Sequence, residues 1–75
     1  MLKETRIKKN LTQKELAQIS KISIRTIQNY ECGHRNINNA PLSHLIDLAN
    51  ALGVNFYEIL DKELKIKIKK HLSRF

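Results

Sequence analysis

The stretch LTQKELAQISKISIRTIQNYECG, residues 11–33, carries two helix starts of the same design. The Thr12 hydroxyl can accept from the backbone N–H of Glu15, the Glu15 carboxylate can reach back to the Thr12 N–H, and Leu11 and Leu16 have the spacing of a hydrophobic staple. A helix is therefore predicted from Gln13. Ser23 is flanked in the same way by Ile22 and Ile27, and Gly33 supplies a residue able to take the left-handed conformation that closes a helix. These signals bound a second helix from Ile24 to about Cys32, joined to the first by a turn around Ser20 to Ser23. Where two helices cross steeply, a side chain larger than methyl on the inner face of the first would push the second away. Ala17 suits that crossing point.

Outward from this pair, Leu42, Leu45, Ile46, Ala49 and Leu52 recur at 0, +3, +4, +7 and +10, with Pro41 near the start and Gly53 after the end. That is the best-patterned helix in the chain. Asn55 with Glu58 three residues later, between Val54 and Ile59, predicts a short helix from Phe56 to about Leu60. Residues 2–9 read as helix on weaker grounds, because Leu2 and Ile7 are the apolar residues there and their separation of five defines no face. The Asn-rich segment Asn36 to Ala40 reads as a loop in which Asn must supply any left-handed residue. In residues 63–75, Leu64, Ile68, Leu72 and Phe75 fall on one helical face, while Leu64, Ile66 and Ile68 also alternate with Lys65, Lys67 and Lys69 as in a strand. Helix is preferred, since Ile66 alone offends it, and strand stays open.

A chain of 75 residues leaves room for one compact core. Hydrophobic residues make up 41 %, with two Gly and one Pro, which favours a folded helical domain over a disordered or turn-rich one. The 14 Lys plus Arg against 7 acidic residues give a formal charge of +7, which calls for an anionic partner. Residues 1–60 hold 8 basic and 5 acidic side chains and residues 61–75 hold 6 and 2, so over half of the excess lies in the tail. We divide the chain into a domain over 1–60 and a basic extension over 61–75, the latter a candidate dimerisation element, with a membrane surface or nonspecific nucleic acid as the alternative partner for its alternating Lys and Ile. No N-terminal apolar run and no stretch near the roughly 18 apolar residues of a membrane span is present, so the expectation is a cytoplasmic protein with no membrane partner. Cys32 with His34, His44 and His71 makes no four-ligand zinc pattern, and no metal or other cofactor is expected. With no Gly-rich phosphate loop, no nucleophile paired to a base and little volume to enclose a small-molecule substrate, the chain is not expected to be an enzyme and has no catalytic residues to assign.

Two short helices joined by a tight turn are the organisation by which a first helix braces a second against DNA. Residues at the start of such a second helix face base edges. Arg25 can pair with guanine, Gln28 or Asn29 with adenine, and Ile24 can meet a thymine methyl. Gln13, at an exposed helix start, is placed for a phosphate. Lys14 and Arg35 rank highest among the solvated cations, ahead of Lys21 and His34, and Ser23 is grouped with Gln13, Lys14 and Arg35 as phosphate-contacting. Tyr30 reads as a core ring with an exposed hydroxyl.

Arg6, then LTQKELA from Leu11 to Ala17, then Ile22, Ser23, Thr26, Ile27, Tyr30, Glu31 and Gly33, then Leu42, Leu45, Ile46 and LANALGV from Leu48 to Val54, form a spaced set. In this set residues 2–60 resemble the helix-turn-helix DNA-binding domains of phage repressors, Cro proteins and bacterial Xre-type regulators. The resemblance implies an all-α, five-helix, lambda-repressor-like domain with its third helix in the major groove of double-stranded DNA. It implies a transcriptional regulator, a repressor rather than an activator, bound as a two-fold homodimer, with the tail, Phe56 and Leu60 as the candidate dimer surface. It also implies that Arg6 and Glu31 form a buried structural ion pair, and that Lys21, where such turns often carry Gly, and Asn10 meet a demand for positive φ. The alternative is an antitoxin or protein-interaction adaptor that uses the same fold with weak DNA specificity.

Overall fold

A computed structural model describes residues 2–60, 67 and 69–71. Four α-helices, α1 (Leu2–Lys8), α2 (Gln13–Ser20), α3 (Ile24–Cys32) and α4 (Leu42–Leu52), are accompanied by two 3₁₀ turns, Ile37–Asn39 and Phe56–Ile59. No strand occurs among the described residues. Lys67, Lys69, Lys70 and His71 are helical and exposed, while the rest of the expectation for residues 63–75 lies outside the described residues.

Local chemistry sets the ends of these elements. Thr12 caps α2 reciprocally: its Oγ1 accepts from Glu15 N–H at 3.0 Å and its own N–H donates to Glu15 Oε1 at 2.9 Å. Donation to the carboxylate, chiefly from the Thr12 backbone N–H and secondarily from its side chain, holds the Glu15 carboxyl below its ordinary pKa. Ser23 Oγ accepts from Thr26 N–H at 3.1 Å at the start of α3, and Gly33 closes that helix at φ +87°. Helix α4 ends at Gly53, φ +69°, whose N–H bonds Asn50 O while Val54 N–H bonds Ala49 O, the two bonds of a Schellman closure.

Helix α1 ends with the same pair of bonds, Asn10 N–H to Ile7 O and Leu11 N–H to Arg6 O. There Asn10 holds φ +58° without glycine. Lys21 holds φ +60° at the end of α2, a conformation that costs a residue with a Cβ roughly 1–2 kcal/mol. Lys21→Gly is expected to recover about 0.5–1 kcal/mol after glycine's greater chain entropy is discounted. A thermal melt followed by circular dichroism should show this as a rise in Tm of about 2–8 °C for a domain of this size.

Helix α2 sits between α3 and α4, α4 carries the second 3₁₀ turn, and α1 closes the structure against that turn and α3. Leu16, Ile27, Leu48, Ile59 and Leu60 are fully buried at the centre, with Leu2, Ile22, Tyr30, Ile37, Leu45 and Leu52 around them. Ala17 packs against this cluster from α2, where its methyl lets α3 approach.

The short helix expected at Phe56 is present as a 3₁₀ helix, Phe56–Ile59, closed by Leu60 N–H on Tyr57 O, because four residues between a cap and a core anchor are too few for an α ladder. Three other expectations are corrected by the packing. Leu60 is 2 % exposed and belongs to the core, which removes it from any dimer surface, whereas Phe56 is 43 % exposed. On α4, Leu42 and Ile46 are exposed at 62 % and 44 %, and Leu48, outside the expected stripe, is fully buried. The Asn36–Ala40 segment has no left-handed residue; Asn36 Oδ1 instead accepts from Asn38 N–H at 2.9 Å and starts a 3₁₀ turn that buries Ile37.

Candidate nucleic-acid interface

Helix α3 divides its residues between two faces. Ile27 and Tyr30 point into the core, while Arg25 and Gln28 are exposed, Ile24 is 41 % exposed and Asn29 is half-buried. A side chain four residues on returns to nearly the same direction, so Ile24, Arg25, Gln28 and Asn29 lie together on the outer face. A large apolar residue held at 41 % exposure beside a cation and two amides suits a surface that presents both hydrogen bonds and a methyl-sized contact.

The four residues expected at phosphates are not all in one place. Lys14, Ser23 and Ile24 line one open groove of about 630 Å³ between α2 and the start of α3, with Lys21 on the same rim. Gln13 stands on the other side, where its Oε1 accepts from Gln28 Nε2 at 3.4 Å and its Nε2 donates to Glu31 Oε1 at 3.1 Å. Arg35 lies apart, at the rim of a depression of about 400 Å³ that Glu31, Cys32 and Asn36 also bound. Its backbone N–H donates to Asn29 O at 3.1 Å, folding the segment after Gly33 back onto α3. The Ser23 hydroxyl is engaged in capping, accepting from Thr26 N–H and lying 2.8 Å from Thr26 Oγ1.

Beneath this surface Arg6 Nε meets Glu31 Oε2 at 2.7 Å and Arg6 Nη2 meets Glu31 Oε1 at 3.0 Å, with side chains only 11 % and 3 % exposed. Arg6 Nη1 also donates to Leu11 O at 2.7 Å. The hydrogen bonds to Glu31 are the main cause of a raised Arg6 pKa, with partial burial opposing them and the Glu31 charge adding to them. The guanidinium thus ties α1, the segment before α2 and the far end of α3 into one body.

Two connections were not visible in the sequence. One is the relay Gln28–Gln13–Glu31, which depends on how closely α2 and α3 approach. The other joins Tyr30, whose hydroxyl was expected to be exposed, to His44 Nδ1 at 3.0 Å, with the rings edge to face at 6.3 Å. Tyr30 is 8 % exposed, and this bond gives its hydroxyl a partner while fastening α3 to α4. Among the described residues no group of His, Cys, Asp and Glu is arranged to hold a metal ion, and no helix is long and apolar enough to cross a membrane.

A family model described as helix-turn-helix matches residues 2–59, which includes α1, α2, α3 and α4. No curated protein and no solved structure matches the chain. The family is one of DNA-binding transcription regulators and not an enzyme family. With α2, the Lys21 turn and α3 in place and the match running across all four helices, the chain belongs to the Cro/C1-type helix-turn-helix family.

Proposed function

We propose that the domain binds double-stranded DNA sequence-specifically, with α3 in the major groove, and represses transcription as a two-fold dimer. The observation that carries this reading is the division of α3. Ile24, Arg25, Gln28 and Asn29 share its outer face, while Ile27, Tyr30 and the Arg6–Glu31 pair hold it from behind. Arg25 supplies a fork of donors for guanine O6 and N7, and an amide at Gln28 or Asn29 pairs with adenine N6 and N7. Lys14, Gln13 and Arg35 set register by meeting phosphates on either side. Two copies would place their α3 helices in half-sites about 34 Å apart, one turn of DNA. Phe56, exposed and close in sequence to the basic extension, is one apolar residue available to such a dimer.

Selection of duplexes from a random pool tests this directly. Wild-type protein is expected to enrich one operator-like sequence. Arg25→Ala and Asn29→Ala are each expected to lose about 1–3 kcal/mol of discrimination at one base pair, roughly 5- to 150-fold, with the melting curve unchanged. Unchanged selectivity in both variants would remove α3 from base reading.

A further inference from the structure

We propose that Lys3 is a phosphate-contacting residue that extends the DNA-binding surface from the helix pair onto α1. This deepens the reading given under Proposed function and rests on it. An open notch of about 250 Å³ lies between α1 and α3, bounded by Lys3, Gln13, Gln28, Glu31 and Cys32. Gln28 belongs to the outer face of α3, and Cys32 follows it one turn later as an exposed residue. Lys3 therefore stands beside the recognition helix, across the notch from Gln28, and not on its reading face.

That position decides what it would meet. A helix lying in a major groove about 12 Å wide is walled on both sides by the phosphodiester strands, so a cation flanking the helix faces phosphate. The one carboxylate bounding the notch is Glu31, and it is already occupied. Arg6 takes both of its oxygens, at 2.7 and 3.0 Å, and Gln13 adds a third hydrogen bond. Among the described residues Lys3 has no ion-pair partner, and its side chain is exposed. Its charge is thus available to an outside anion, while the charge of Glu31 is cancelled from within. The spacing hints at this placement too, since Lys3 precedes Arg6 by three residues and shares the helix face that Arg6 turns toward α3.

The test measures binding of the full chain to its selected duplex by fluorescence anisotropy over a range of salt concentrations. Lys3→Ala is expected to reduce the slope of log K against log salt by about 0.9 per bound protomer, to leave the selected sequence unchanged, and to melt like wild type. Lys3→Arg should keep the wild-type slope. Lys8→Ala, which removes an exposed α1 cation outside the notch, should keep it as well. A wild-type slope in Lys3→Ala, or an equal reduction in Lys8→Ala, would overturn the assignment while leaving the role of α3 standing. Failure of wild-type protein to prefer any duplex would instead overturn the underlying reading, and this inference with it.

Discussion

Replacing Arg6 with alanine is expected to cost about 3–5 kcal/mol of folding stability, because it leaves the Glu31 carboxylate buried without its counter-charge. Glu31 is 3 % exposed and its oxygens accept two bonds from Arg6, so water cannot readily take the place of the guanidinium. The Leu11 carbonyl loses a 2.7 Å donor in the same step. In a domain of this size each kcal/mol moves Tm by about 4–8 °C, so the loss should be plain in a thermal melt. The pair's own net worth is a separate quantity, since desolvation offsets much of its attraction. Arg6→Met combined with Glu31→Leu is therefore expected to recover much of the loss. Equal instability in the single and double variants would mean that the pair itself, and not the stranded charge, holds α1 to α3. Any fall in DNA binding by Arg6→Ala should track the unfolded fraction, and must be measured well below the lowered Tm.

The second large effect is expected at Leu48. This side chain is fully buried at the centre of the core, and Leu48→Ala should cost about 2–5 kcal/mol through lost transfer energy and the cavity left behind. Leu42→Ala on the same helix, at a residue 62 % exposed, should stay within about 0.5 kcal/mol of wild type. Urea titration of both variants provides the comparison: the Leu48 variant should shift its midpoint at an unchanged m-value. Similar midpoints for the two variants would mean that α4 presents a different face to the core.

The contrast between these two leucines shows where sequence reasoning stopped. The limits of α2 and α3 were legible because they are set within a few residues, by Thr12 with Glu15 and by Ser23 with Gly33. For α4 the limits were equally plain, but its rotation was not. Leu45, Ala49 and Leu52 sit in the middle of one apolar arc, with Leu48 at one edge and Leu42 and Ile46 at the other, and either edge satisfies a helical period. Only the placement of α2 and the second 3₁₀ turn decides between them. Leu2 and Ile7 pose the same problem in α1, and the structure buries the first and leaves the second 54 % exposed.

The candidate interface divides along the same line. The α3 residues Ile24, Arg25, Gln28 and Asn29 could be grouped from helical spacing alone. The separation of Arg35 from Lys14, and the presence of Lys3 beside Gln28, depend on the path of the chain after Gly33 and on how α1 docks. The conformation of Lys21 came from the resemblance to the family, whose turns place glycine there; no local signal demanded it.

The hydrogen bond between Gln28 and Gln13 bears on how this domain could diversify. Among the described residues the side chains of Ile24, Arg25 and Asn29 make no hydrogen bond to the rest of the domain, so their replacement breaks none. Gln28 cannot be rewritten alone. Its replacement releases one end of Gln13, whose other end is bonded to Glu31, and so disturbs the side chain proposed above to meet phosphate. Gln13 and Gln28 form a two-letter word that changes as a pair, so on the proposed reading the start of α2 would share in setting specificity with α3.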